Sequence, residues 1–565
     1  MQILGLNIGH NATACLLKDG KVIGCASEER FSRIKNHCGI PFKAISFLVK
    51  NMQEIDLVVV DSHYPISNSP DFGKQFLEAY TSPGKIKSIL SKIGYKYPRF
   101  FSRYYARKKM EGDYLNIKPK LARLLKIDEK KIAVIDHHLA HAFATLPNIK
   151  DKTLIFTLDG EGAGICASVS IYENGKLKVI SRTEKTASLG YLYAIATIYL
   201  GMKPLEHEFK VMGLEPYAKR NKIEEVYQKF RRIIKVDGLR FKSKFSMPFA
   251  DNFFKNEMKF VRFDNVAGGV QKLVEELTCE WVGNAIKKTG IKNIALAGGV
   301  FMNVKACQKI SEMNEVENIF IMPSCGDESN AIGCAVYGYK KCSKEFNPSP
   351  LADLYLGPEY NNEYIEKIIK EKELNKKYKI SKHKDINKIA GKLLAEGKIV
   401  ARCSGKSEWG ARALGNRSIM ANALHPDTIR ILNETIKDRD FWMPFTPSII
   451  DKYEKKYVIN PKNIFSPYMV ITFNSTEEAR EKIPAAMHPY DQTLRPQIVT
   501  KDYNKDYYEI IEHFAKLTGS GGILNTSFNL HGEPNVLTPE DALHTVENSS
   551  LKFLVMGNYL FEKII

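Results

Sequence analysis

Gln2-Ile3-Leu4-Gly5-Leu6-Asn7-Ile8 opens the chain as an apolar run, passes into the polar turn Gly9-His10-Asn11, and continues as strand, tight turn Lys18-Asp19-Gly20-Lys21 and strand up to residue 27. Residues 153–182 repeat the plan. There Leu154-Ile155-Phe156-Thr157-Leu158 runs into Asp159-Gly160-Glu161-Gly162, then come Ala167-Ser168-Val169-Ser170-Ile171, the turn Glu173-Asn174-Gly175-Lys176 and Leu177-Lys178-Val179-Ile180. Short apolar runs joined by a glycine-bearing turn predict hairpins. Each copy is followed by helical material.

Two copies of a strand-turn-strand-turn-strand unit outline a duplicated actin-like (ASKHA, RNase H-like) α/β domain, in which the polar first turns of both copies face one cleft. A third apolar strand, Ile294-Ala295-Leu296-Ala297, runs into Gly298-Gly299-Val300, and a fourth, Ile319-Phe320-Ile321-Met322, into Pro323-Ser324-Cys325-Gly326-Asp327. Glycines at both places let backbone amides approach a ligand.

Ile132-Ala133-Val134-Ile135 leads into Asp136-His137-His138-Leu139-Ala140-His141, which gathers three of the 13 histidines. If the segment is helical, His137 and His141 lie one turn apart on one face, where two imidazoles can share a metal ion, and His138 points elsewhere. On two residues alone, a solvated histidine-rich helix start reads the same way. Asp159 and Asp327, each just past an apolar strand, would add two oxygen ligands. Two imidazoles with carboxylates suit iron(II), manganese or zinc better than magnesium. His10, in the first turn, faces the same cleft and is the candidate general base toward an acceptor hydroxyl.

Composition bounds the rest. At 565 residues the chain exceeds one hydrophobic core, and a hydrophobic content of 44% argues against disorder. A start without leader, and the lack of a spanning apolar run, predict a cytoplasmic protein with no membrane partner. Ten cysteines without a Cys-x-x-Cys pair predict reduced core thiols. The net charge of +19 is uneven: residues 84–131 hold 15 Lys and Arg against 4 Asp and Glu, interleaved with aromatics. Stacking on nucleic acid is one reading of that basic segment, a solvated insertion around 70–131 the favoured one.

Phe346-Asn347-Pro348-Ser349-Pro350 reads as a linker, dividing a domain 1–350 from a domain 351–565. The second contains Gly405-Lys406-Ser407-Glu408-Trp409-Gly410-Ala411-Arg412-Ala413-Leu414-Gly415-Asn416-Arg417-Ser418, then Lys437 and Arg439, His488 to Arg495, and Leu524-Asn525-Thr526-Ser527-Phe528-Asn529. Forked guanidiniums, lysines and a hydroxyl are what a phosphate-rich small substrate needs, and no P-loop is present to hold it otherwise.

In their order, Gly9 to Ala12, Ser27-Glu28-Glu29-Arg30-Phe31, Asp136 to His141, Ser188-Leu189-Gly190-Tyr191, Lys210-Val211-Met212-Gly213-Leu214, Gly298 to Asn303, Gly326-Asp327-Glu328, Gly410 to Ser418, Arg495-Pro496-Gln497 and Leu524 to Asn529 resemble the O-carbamoyltransferases of the NodU/CmcH type. The resemblance covers nearly the whole chain. It implies a first domain similar to the tRNA threonylcarbamoyl transferase and a YrdC-like α/β second domain. The second domain would join carbamoyl phosphate and ATP, with magnesium, into carbamoyl adenylate, releasing pyrophosphate and phosphate. Lys406, Arg412, Arg417, Lys437 and Arg495 would form its cationic pocket, with Asn525 and Ser527 orienting the carbamoyl group. In the first domain an iron-type centre would serve transfer to a hydroxyl of a small-molecule acceptor, with Lys35, Ser188, Gly298, Gly299 and Asn303 touching the nucleotide.

Two departures stand out. Asn11 replaces the usual Asp, and Met443 occupies a place where the family commonly has Arg, a loss that Arg439 would cover. Other classes stay in view. A tRNA-modifying threonylcarbamoyl transferase would employ the basic segment, a sugar kinase would release ADP and leave His137 and His141 without work, and a non-catalytic nucleotide sensor would need neither the metal ligands nor the second domain's cations. A homodimer is compatible with the sequence.

Overall fold

The structure is a computed structural model and describes residues 1–50, 54–62 and 117–564. Residues 84–116 of the basic aromatic segment therefore lie outside the described residues. Two compact units are formed, Met1–Glu29 with Asn36–Leu351, and Arg30–Lys35 with Ala352–Ile565.

In the first unit, β1 (Gln2–Asn7), β2 (Thr13–Lys18) and β3 (Lys21–Ser27) form an antiparallel meander. Asp19 (φ 48°) and Gly20 (φ 82°) give the β2–β3 turn two left-handed residues, the geometry that matches strand twist. β4 (Leu57–Asp61) and β5 (Ile132–Ile135) continue the sheet in parallel on the other side of β1, in the order β3-β2-β1-β4-β5. β1 and β4 are flanked on both sides, and their continuous apolar runs are what a doubly covered strand requires.

The second copy has the same wiring. β6 (Thr153–Gly162), β7 (Ile165–Glu173) and β8 (Lys176–Glu184) form the meander, with Asn174 (φ 51°) and Gly175 (φ 68°) in its turn. After a hairpin of β9 (Ile234–Asp237) and β10 (Arg240–Ser243), β11 (Asn293–Ala297) and β12 (Asn318–Ile321) complete the order β12-β11-β6-β7-β8. Two five-stranded sheets of identical connectivity are the duplicated actin-like fold. The helices that follow the fifth strand of each copy, His137–Thr145 and Asn330–Cys342, pack against each other.

That packing depends on Gly333, because a Cβ there would fall on the Ala140 carbonyl oxygen. Backbone cannot yield as a side-chain tip can. Gly333→Ala is expected to lower stability by about 1–3 kcal/mol through overpacking, read as a fall in the thermal midpoint.

The second unit is a mixed sheet in the order β13-β22-β21-β14-β15-β20-β16-β19. Its strands are β13 (Tyr378–Lys382), β14 (Val400–Cys403), β15 (Arg417–Ala421), β16 (Thr446–Ile450), β19 (Gln497–Val499), β20 (Gly522–Ser527), β21 (Phe553–Met556) and β22 (Tyr559–Lys563), with β17 (Val458–Ile459) and β18 (Asn474–Ser475) paired apart. Helices Ile386–Ala395 and Lys505–Thr518 cover one face, burying Leu394, Tyr507, Ile511 and Phe514 against Val400 and Ile523. All ten cysteines are free thiols. Among the described residues no helix is long and apolar enough to cross a membrane.

The expected linker is not loose. Ser349 N donates to Gly20 O at 2.9 Å and Leu351 N to Asn148 Oδ1 at 3.2 Å, so the segment is fastened to the first unit.

Candidate functional site

Four strand ends converge on one point of the first unit. β1 leads to His10, β6 carries Asp159, β5 leads into the helix of His137 and His141, and β12 leads to Asp327. These are the first and fifth strands of both copies, so the duplication itself builds the site. Asp136 starts the helix by accepting from Leu139 N at 3.0 Å. His137 and His141 then share a face, with ring centroids 4.7 Å apart.

His141 Nε2 lies 3.3 Å from Asp159 Oδ2 and 3.5 Å from Asp327 Oδ1, and His137 Nε2 lies 3.6 Å from Asp327 Oδ1. One donor atom from each of the four falls within 4.8 Å of the others. A divalent transition ion binds N and O at about 2.0–2.2 Å, which sets neighbouring ligand atoms roughly 3.0–3.5 Å apart. The donor set fits such an ion by spacing and chemistry.

Electrostatics agree with that geometry. Burial disfavours the His137 imidazolium, but Asp61 and Asp327 outweigh it and hold the pKa up at about 10. His141 is likewise raised by Asp159 and Asp327 against burial. His138 goes the other way, down to about 4, through burial and its two charged neighbours. Its neutral ring donates from Nε2 to Ile165 O at 2.9 Å and accepts at Nδ1 from Thr157 Oγ1 at 2.8 Å, tying the helix to β6 and β7.

His10 Nδ1 sits 3.2 Å from Asp327 Oδ2, with a fifth of its side chain open to solvent. Asn11, in the left-handed region at φ 56°, donates from Nδ2 to Glu328 Oε2 at 3.1 Å. Glu328 is buried, and burial raises its pKa. A carboxylate at position 11 would meet Glu328 as a like charge, so Asn is the residue that this neighbour accepts.

The groups expected to touch a nucleotide in this unit are engaged by the protein. Gly298 N donates to Cys325 O at 2.9 Å and Gly299 N to Asp159 Oδ2 at 3.0 Å, which orients that carboxylate. Ser188 caps the helix Leu189–Tyr199, accepting from Tyr191 N at 3.1 Å and donating to Gly160 O at 2.7 Å. Asn303 and Gln271 form a reciprocal amide pair at 2.8 and 3.0 Å. Lys35 is corrected in place, since it belongs to the second unit and acts on Lys437.

In the second unit, Glu408 Oε1 accepts from the amides of Leu414, Asn416 and Arg417 at 2.9, 2.7 and 3.0 Å, folding the glycine-rich turn that carries Arg412. Lys437 ends a single π-helical turn, Asn433–Lys437, an irregularity common at functional sites. Its Nζ donates to Ser527 O at 2.6 Å and to Asn529 Oδ1 at 2.9 Å, and Ser527 Oγ donates to the same Oδ1 at 2.6 Å. Arg439 donates to Thr526 Oγ1 at 3.0 Å and stacks on Phe445 at 4.7 Å.

These cations suppress one another. Burial, Arg439 and Lys35 push Lys437 well below its ordinary pKa, burial and Arg412 bring Arg439 to about 10, and burial, Arg412 and Arg439 push Arg495 well down. The charges that lower the three are all positive. Asn525 donates from Nδ2 to Ala413 O at 3.1 Å and Ser448 Oγ at 3.0 Å, which leaves Oδ1 buried with no hydrogen-bond partner among the described residues. Arg417 is a correction: 1% exposed, it donates from Nε and Nη1 to the carbonyls of Leu537, Ser404, Gly405 and Asn416, so its guanidinium holds the turn from within. Lys406 is exposed and is not among the cations that depress one another.

The family model described as Carbamoyltransferase N-terminus matches residues 2–336, and Carbamoyltransferase C-terminus matches residues 391–563. The chain belongs to the carbamoyltransferase family. It is 30% identical to Uncharacterized protein MJ1058 of Methanocaldococcus jannaschii over 97% of this chain and 93% of that one. It is 27% identical to Nodulation protein NolNO of Sinorhizobium fredii over 98% and 79%. A solved structure of full-length HypF aligns with 62% of this chain and 56% of its own at 13% identity, with a TM-score of 0.33, too distant to carry an argument.

As a carbamoyltransferase the chain is a transferase enzyme. Asp61, which accepts from His137 Nδ1 at 2.8 Å, Ser329 beside His141 and Asn330 escape a motif reading, and Glu408 and Asn529 sit in the glycine-rich and Asn-Thr-Ser stretches without a role assigned there. Asp61 did carry a signal. Leu57-Val58-Val59-Val60-Asp61 is an apolar strand ending in a carboxylate, the pattern that marks Asp159.

Proposed function

We propose that the second unit makes carbamoyl adenylate from carbamoyl phosphate and ATP, and that the first unit transfers the carbamoyl group to a hydroxyl of a small-molecule acceptor. The observation that carries this reading is the set of neighbouring cations at Arg412, Lys437, Arg439 and Arg495, three of which are lowered by the others and by burial, an arrangement that a bound anion would favour. Carbamoyl phosphate and ATP are such anions, with magnesium on the triphosphate. Arg439 supplies the charge that Met443 lacks.

The chemistry balances if one water cleaves carbamoyl phosphate into carbamate and phosphate, and a carbamate oxygen then attacks the α-phosphorus of ATP, expelling pyrophosphate. Arg412, Arg439 and Arg495 neutralise the charge that grows on the phosphoryl oxygens. The unsatisfied Asn525 Oδ1 accepts from the carbamoyl N–H, and Ser527 with Lys437 holds the adjoining turn.

In the first unit His137, His141, Asp159 and Asp327 would hold iron(II), or manganese or zinc. A bound ion of this kind supplies Lewis acidity and a template for the carbamoyl donor. His10, open to solvent beside Asp327, takes the acceptor hydroxyl proton. Wild-type protein given ATP and labelled carbamoyl phosphate is expected to yield pyrophosphate, phosphate and a carbamoylated AMP. ADP as the sole nucleotide product would replace this reading with direct phosphotransfer.

A further inference from the structure

We infer that Asp61 is a positioning residue that makes His137 the tight metal donor of the centre and leaves His141 the exchangeable one. The inference rests on the metal reading above. Asp61 lies at the end of β4, fully buried, with Oδ2 2.8 Å from His137 Nδ1. The same oxygen accepts from Asn330 Nδ2 at 2.9 Å. A carboxylate oxygen can only accept from the ring at this distance, so the contact places the His137 proton on Nδ1.

That tautomer is the one a ligand needs, since Nε2 is then the lone pair facing Asp327 Oδ1. The helix is fixed from the same strand end, as His137 N donates to Ser62 Oγ at 3.0 Å. His141 has a weaker support. Its Nδ1 faces the neutral hydroxyl of Ser329 at 3.2 Å, longer than the carboxylate bond and without its charge. A carboxylate behind an imidazole makes the ring a stronger donor than a hydroxyl does. Two histidines one turn apart are thus given unequal grips by the strand and the turn behind them.

Cobalt(II) titration of the metal-free full-length protein tests this through visible absorption. Wild type is expected to bind with a ligand-field spectrum, Asp61→Asn to bind about 10–100-fold more weakly with shifted bands, and Ser329→Ala to lose less than about tenfold. Circular dichroism identifies a variant that fails to fold, and Asn330→Ala, which removes the donor to Asp61 together with the amide 3.2 Å from His137 Nδ1 and 3.5 Å from His141 Nε2, then serves in its place with a smaller loss in the same direction. Wild-type affinity and spectrum in Asp61→Asn overturn the inference, as do equal losses in Asp61→Asn and Ser329→Ala. A wild type that takes up no cobalt sinks the metal reading instead.

Discussion

Arg495→Ala is expected to abolish carbamoyl adenylate formation, with a loss of at least about 10²–10³ in rate, the cost of removing one donor that meets developing charge. The measurement is release of pyrophosphate from ATP in the presence of carbamoyl phosphate. A second result separates a binding role from a structural one. Arg412 and Arg439 both press on Arg495, so removing its charge relieves repulsion in the ligand-free protein. The variant is therefore expected to melt no lower than wild type while losing activity, as groups held for function at the expense of stability do. Pyrophosphate, a product of the proposed step, is expected to raise the wild-type midpoint and to raise that of Arg495→Ala far less. A variant that melts lower and still makes the adenylate would remove Arg495 from the pocket.

The sequence made half of this legible, for reasons that lie in particular residues. Both meanders could be read because Asp19-Gly20 and Asn174-Gly175 adopt the left-handed pairs that their turns demand. The meeting of His137, His141, Asp159 and Asp327 could be read because each follows an apolar strand. β4 escaped notice although Val58, Val59 and Val60 are fully buried, because no turn signal ties that run to β1. Arg417 looked like a phosphate ligand in a glycine-rich turn. Only its enclosure by carbonyls shows that it holds the turn together.

Lys35 was out of reach of any local reading. Its segment joins the second unit because Arg33 donates to Asn535 O at 2.7 Å and Pro534 O at 2.8 Å, and Arg30 to Gly410 O at 2.9 Å. Partners separated by hundreds of residues leave no periodicity to find. Asn11 is similar in kind: its fitness depends on Glu328, far along the chain, and not on its neighbours in the first turn.

His137→Ala is expected to leave adenylate formation intact and to cut carbamoyl transfer by about 10²–10⁴-fold, so that carbamoyl adenylate accumulates with acceptor present. The division follows from composition: the first unit's centre has carboxylates and imidazoles, while the pocket of the second is cationic. His137→Ala also takes the imidazole at 2.8 Å away from buried Asp61, and the variant is expected to melt lower, as breaking a buried pair does. Asp159→Asn provides the cleaner form of the test. It keeps the shape of the side chain and one oxygen for the amides of Gly160 or Gly299, which Asp159 holds at 2.6 and 3.0 Å, and it removes the anionic donor 3.3 Å from His141 Nε2 without emptying the space. Both variants should lose transfer to the same depth while differing in stability, and the double variant should transfer no worse than either, because ligands of one ion act as a unit. Loss of pyrophosphate release in Asp159→Asn would show that the two steps share one chamber.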